Sequence, residues 1–182
     1  MKLPSSSTYG TWLAFFRIYA GAFWLMHGIP KFLHSEDFMP PNGMMTQFLN
    51  GQITHNSGPY QGFLVHVVLP NAYFFAELVR LGEVVTGCLL LFGFYTRLGG
   101  LIGMLLALNY ISAKGGLAHL SVWSGLDSAA FILSALNFVL PTGRVLGVDA
   151  LLWRMKRKPE VAVAGAVFVE EPPMTGPTAP SA

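Results

Sequence analysis

Glu77, Arg80 and Glu83 stand three residues apart in "FAELVRLGEVVTGCLLLFG", a stretch otherwise made almost wholly of apolar and small residues. Side chains at i and i+3 share a helix face. At 1.5 Å per residue the three charges form a stripe about 9 Å long. Such groups can carry protons or neutralise one another. Arg80 can pair with either glutamate, which leaves one carboxylate over. Arg17, in the first apolar run, is the natural fourth member and is expected to reach Glu83. Arg17, Arg80 and Glu83 then read as a structural charge network.

A second set lies nearer one end of the apolar runs. Counted inward from the ends of their helices, His27, Glu77 and Asp127 fall at about one depth, with Asn109 and Tyr110 slightly shallower. All five histidines (His27, His34, His55, His66, His119) fall on or near that side. A layer of this kind can hydrogen-bond the carbonyls of a quinone and pass protons, and an apolar slot beside it can take a tail. The expected catalytic residues are Glu77, His27 and Asp127; Asn109, Tyr110 and Lys31 are the expected substrate-binding ones. The competing reading is a buried polar network that fixes helix register, with Asp127 a first-turn acid near a helix N-terminus. No metal, haem or nucleotide motif is present. Histidines at metal-ligand spacing are missing, the glycines are scattered through the apolar runs, and the single cysteine, Cys88, reads as packing.

The elements that must hold these groups follow from composition. The chain is 53% hydrophobic and 11% charged, against about 25% charged in soluble domains. That points to an all-α integral membrane four-helix bundle. A net charge of +2 gives no reason to expect nucleic acid. A span needs roughly 20 apolar residues, and four are expected at about 12–33, 71–94, 98–113 and 121–140. The second is marginal alone. Its three charges cost about 2.5–3.5 kcal/mol each at mid-bilayer, while each Leu, Val or Phe returns about 0.3–0.6 kcal/mol.

The domain plan is a short N-terminus (1–11), a membrane domain (12–141), a basic segment (142–160) and a disordered tail (161–182). Lysine and arginine cluster on the side of both termini, which the positive-inside rule places in the cytoplasm of a cell with this protein in its inner membrane. The long outer loop carries "MMTQFLNG" and "GPYQGFLVHVVLP", which read as short amphipathic helices.

Three short stretches resemble one family. "HGIPKF" is similar to the G-x-x-K motif of DoxX-family proteins, "LLLFGFYTRLGGL" to their L-L-x-G-x-x-T-R element, and "TGRVLGVD" to their G-R-x-x-x-x-D terminus. The resemblance covers about Trp12 to Asp149. It implies a four-helix membrane bundle. One branch, DoxD, is the small membrane subunit of thiosulfate:quinone oxidoreductase. No active site carries over; Lys31 and Arg97 match motif positions only.

Three functions compete. The first is a quinone-facing subunit of an oxidoreductase, of thiosulfate:quinone type, working with another protein subunit. The second is a non-catalytic scaffold or assembly partner, in which a homo-oligomer is equally at home. The third, a small transporter, is disfavoured because four spans show no inverted repeat.

Overall fold

The structure is a computed structural model and describes residues 6–116, 119–144, 146–153 and 155. Its regular structure among these residues is all helix. The long helices are α1 (Ser6–Leu33), α5 (Ala72–Phe92), α6 (Thr96–Ala113) and α7 (Leu126–Val139); α2 (Ser35–Phe38), α3 (Met44–Ile53) and α4 (Gly58–Phe63) fill the loop between α1 and α5. α4 runs on into a single π turn, Leu64–Val68, and a 3₁₀ turn, Leu120–Ser124, precedes α7. α1 packs along α5 and α6 along α7, and α5 against α6 joins the pairs. The expected disordered tail and the end of the basic segment, from residue 156 on, lie outside the described residues.

Helix boundaries follow local chemistry. Gly93 ends α5 in the left-handed conformation, φ 66°, and Phe94 N–H bonds back to the Leu89 carbonyl at 3.0 Å, the closure that a left-handed glycine permits. Pro59 near the start of α4 gives up an N–H that would have no helical partner there.

Among the described residues no helix is long and apolar enough to cross a membrane. The four stretches expected to be spans are therefore helices that do not meet that standard. The reasons are local. Glu77, Arg80 and Glu83 interrupt α5, and α1 contains Pro30 and ends with Lys31 in its last turn. Gly125 separates α7 from the 3₁₀ turn, leaving 14 residues, about 21 Å of helix.

Close approaches fix the register of α1 on α5. A Cβ on Gly28 would lie 2.9 Å from Val84 Cγ2 and 3.0 Å from Glu83 Cβ, and one on Gly21 would meet the Leu91 backbone. Residues 28 and 84 are thus neighbours, as are 21 and 91. The first two turns of α5 extend past this pairing. There Ala72, Ala76 and Val79 are buried under Phe38, Met45, Leu49, Leu64 and Val68 of the loop helices. The bundle centre is a second cluster, Ala20, Trp24, Leu90, Ala107 and Ala130, and Trp24 Nε1–H donates to Ser134 Oγ at 3.1 Å, tying α1 to α7.

The Gly28 contact carries a prediction. Gly28→Val overpacks the α1–α5 seam and costs about 2 kcal/mol. A thermal unfolding curve in detergent checks it; an unchanged midpoint would mean the seam is looser than this register requires.

Candidate functional site

Gly28 brings the α1 backbone against Glu83, and Lys31, one turn later, reaches the carboxylate. Lys31 Nζ lies 2.6 Å from both Glu83 oxygens and 3.0 Å from the Tyr110 hydroxyl. Tyr110 O–H donates to Glu83 Oε1 at 2.7 Å. The ammonium also sits over the rings of Phe38 (5.2 Å) and Tyr110 (5.5 Å), contacts that favour a cation. The Glu83 side chain is 2% exposed. A carboxylate so deep needs a partner, because desolvation of an unpaired charge costs several kcal/mol. Lys31 and Tyr110 between them meet that need.

This cluster forms one wall of a cavity of about 280 Å³. Phe23, Trp24, Phe48 and Tyr110 supply aromatic surface, and His27, Lys114 and Asp127 supply polar groups. His27 Nδ1 is 2.9 Å from the Phe23 carbonyl oxygen. A carbonyl only accepts, so Nδ1 carries a hydrogen, and Nε2 is the ring nitrogen left for another partner. Lys114 Nζ and Asp127 Oδ2, 2.5 Å apart, join the end of α6 to the first turn of α7 beside the cavity. This pair is well exposed and contributes little to stability.

The structure brings His27, Lys31, Tyr110 and Asp127 around this cavity, together with Glu83. It leaves Glu77 and Asn109 elsewhere. Glu77 grips Arg80 through two hydrogen bonds, one of them 2.7 Å from Nε, on the outer side of α5. The guanidinium lies 4.5 Å from the Phe32 ring centre. Asn109 Oδ1 accepts from the Tyr60 hydroxyl at 2.8 Å; burial pushes the Tyr60 hydroxyl up from its ordinary pKa, so it stays a donor at neutral pH. His34, His55, His66 and His119 are exposed on the connecting segments. Lys114 was not singled out by sequence, and Glu83 was read as structural only. The signal for Glu83 was the Gly28-x-x-Lys31 spacing.

The expected Arg17–Glu83 pair is not formed. Arg17 is buried near the middle of α1, where Nη2 donates to the Leu146 carbonyl at 2.7 Å and Nη1 to that of Thr142 at 3.3 Å. Its charge interacts with that of Asp149. Asp149 in turn accepts from the Tyr95 N–H (3.0 Å), the Thr96 N–H (3.1 Å) and the Thr96 hydroxyl (3.1 Å), and its own N–H donates to the Gly93 carbonyl at 2.9 Å. The segment after α7 thereby caps the start of α6. Tyr95, at φ 46°, adopts a costly conformation that brings its N–H to the carboxylate.

These features define a class of small helical bundle with a cavity between its helices and a charged clasp around Arg17 and Asp149. Within that class the chain belongs to the DoxD family: the family described as "TQO small subunit DoxD" matches residues 12–169. The family is generally membrane-associated, and its description is that of a small subunit of a multi-subunit oxidoreductase. No curated protein and no solved structure matches the chain. Two of the three resembling stretches meet in the clasp, at Gly93–Arg97 and Gly143–Asp149, and the third supplies Gly28 and Lys31.

Proposed function

We propose that this protein is the membrane subunit of a quinone-linked oxidoreductase of thiosulfate:quinone type, and that the quinone ring binds in the cavity beside His27. The observation that carries the proposal is the cavity itself. Its aromatic walls suit a flat ring, and His27, Lys31 and Lys114 are polar groups in its lining that can hydrogen-bond ring carbonyls. A bound quinone supplies a two-electron acceptor whose carbonyl oxygens take up protons; the electrons come from the partner subunit. Within the chain, His27 Nε2 is placed to accept a proton or, once protonated, to donate one. Lys31 and Tyr110 hold Glu83 in a fixed position, and Lys114 and Asp127 flank the cavity.

Membrane embedding is part of the same proposal. Phe15, Leu81, Leu105 and Ile132, one from each long helix, are more than half exposed, and exposed apolar surface on this scale marks a membrane or protein interface. Pairing Lys31 with Glu83 and Arg80 with Glu77 removes much of the cost of placing α5 in lipid. The distribution of lysine and arginine in the sequence favours cytoplasmic termini and an inner-membrane location.

A second reading, a non-catalytic scaffold, is favoured by the fact that Lys31, Glu83 and Tyr110 satisfy one another. One experiment separates the two. Ala130 is buried in the cavity wall, and Ala130→Leu fills that space. Quinone extracted from the purified complex is expected to fall about tenfold in this variant with assembly intact. Unchanged quinone content, or none in the parent complex, would leave the scaffold.

A further inference from the structure

A second chamber of about 220 Å³ lies between the loop helices and the α5–α6 pair. Its lining is apolar apart from Tyr60, Asn109 and the Tyr110 ring, and Tyr60 and Asn109 hydrogen-bond each other. Nothing there calls for water, and apolar cavities of this kind stay dry. Phe48 and Tyr110 line this chamber and the His27 cavity alike. They meet edge to face, ring centres 6.2 Å apart. Tyr110 is fastened by Lys31 and Glu83, whereas Phe48 is only half-buried on the short helix α3. Phe48 is therefore the less restrained side of this partition. On the far wall, Phe63 and Leu78 are exposed on the apolar exterior of the molecule.

We infer that this chamber is a side channel for the quinone: its isoprenoid chain lies between Leu64 and Val79, runs past Phe48 to the ring, and leaves at Phe63 and Leu78. The inference rests on the ring site proposed above. The arrangement matches an amphiphile, since a largely apolar cavity bearing His27, Lys31, Lys114 and Asp127 at its walls abuts a chamber without charged groups that opens on apolar surface. A small polar substrate would have no use for the second chamber. The route also explains why the loop between α1 and α5 is built of packed helices, for α3 and α4 are one wall of it.

The test uses the full-length protein in detergent, with menadione as the chainless naphthoquinone and a phylloquinone analogue bearing a diazirine on its chain. After irradiation, mass spectrometry is expected to find label on the segments holding Met45–Leu49, Phe63–Val68 or Leu78–Val79, displaced by excess menadione. Val79→Phe, which fills the chamber, is expected to cut this labelling about tenfold while menadione affinity stays within about twofold. Label confined to the exterior of α1 or α7 overturns the inference. So does chamber label that menadione does not displace, or that a diazirine fatty acid gives equally, since either marks a general lipid slot. Those outcomes leave the ring site standing if menadione still binds in a His27-dependent way. Failure of menadione to bind at all removes the ring site, and the channel with it.

Discussion

Glu83→Gln lowers the stability of the bundle by about 3–5 kcal/mol, the range for breaking a buried ion pair by removing one partner. The loss is large because Lys31 is left without a carboxylate. Glu77 is held by Arg80 and Asp127 by Lys114, so neither carboxylate is free to replace Glu83. Glutamine can still accept from the Tyr110 hydroxyl, but it does not neutralise an ammonium whose side chain is 17% exposed. A double variant, Lys31→Met with Glu83→Leu, recovers most of the loss, because apolar residues of similar volume replace a buried pair at little net cost. Glu77→Gln is the control. Its carboxylate is 36% exposed and pairs within one helix turn with an Arg80 that is 14% exposed, so its loss costs about 1–2 kcal/mol, less than that of the 2%-exposed Glu83. Thermal or denaturant unfolding of the four proteins checks this; equal losses for Glu83→Gln and Glu77→Gln would contradict the distinction.

The second large effect lies at the clasp. Asp149→Ala removes the acceptor for two backbone N–H groups and one hydroxyl, and the charge facing Arg17. A lost cap costs about 1 kcal/mol and hydrogen bonds to a charged group about 1.5–3 kcal/mol, so a fall of about 3 kcal/mol is expected. Asp149→Asn keeps an acceptor and loses less. Hydrogen exchange gives the local readout: the Tyr95 and Thr96 amides lose protection in Asp149→Ala while those of the central part of α5 change little. Uniform deprotection along the whole chain would mean that Asp149 supports the fold globally and does not act as a local cap. Gly93→Val disturbs the same clasp from the other side, because a side chain there meets Arg17 and must adopt a positive φ.

The sequence showed the helices more readily than their register. The apolar runs located the four long helices, and "MMTQFLNG" and "GPYQGFLVHVVLP" correctly read as short helices, since amphipathic spacing is a local property. Depth was the misleading quantity. Counting inward from helix ends assumes that α1 and α5 begin at one level. In the structure α5 projects about two turns beyond α1, because α3, α4 and the π turn cover its first residues. That shift moves Glu77 away from His27 and brings Glu83 to Lys31. It also separates Arg17 from Glu83: Gly28, which faces Glu83, is eleven residues further along α1, about 17 Å. Only the contacts of Gly21 and Gly28 reveal the offset, and a glycine in a sequence does not name the residue it will touch. The partner of Arg17 was hidden for a related reason. Asp149 lies in a segment that folds back after α7, and no periodicity connects the two.

In the proposed site a quinone ring binds beside His27 and Trp24, with Glu77 uninvolved. Trp24 is buried in the wall of that cavity, so its fluorescence reports occupancy directly. Titration with menadione is predicted to give saturable quenching that is lost in Trp24→Phe, weakened about tenfold in His27→Phe and unchanged in Glu77→Gln. Quenching that does not saturate, or that depends on Glu77 and not on His27, would contradict it.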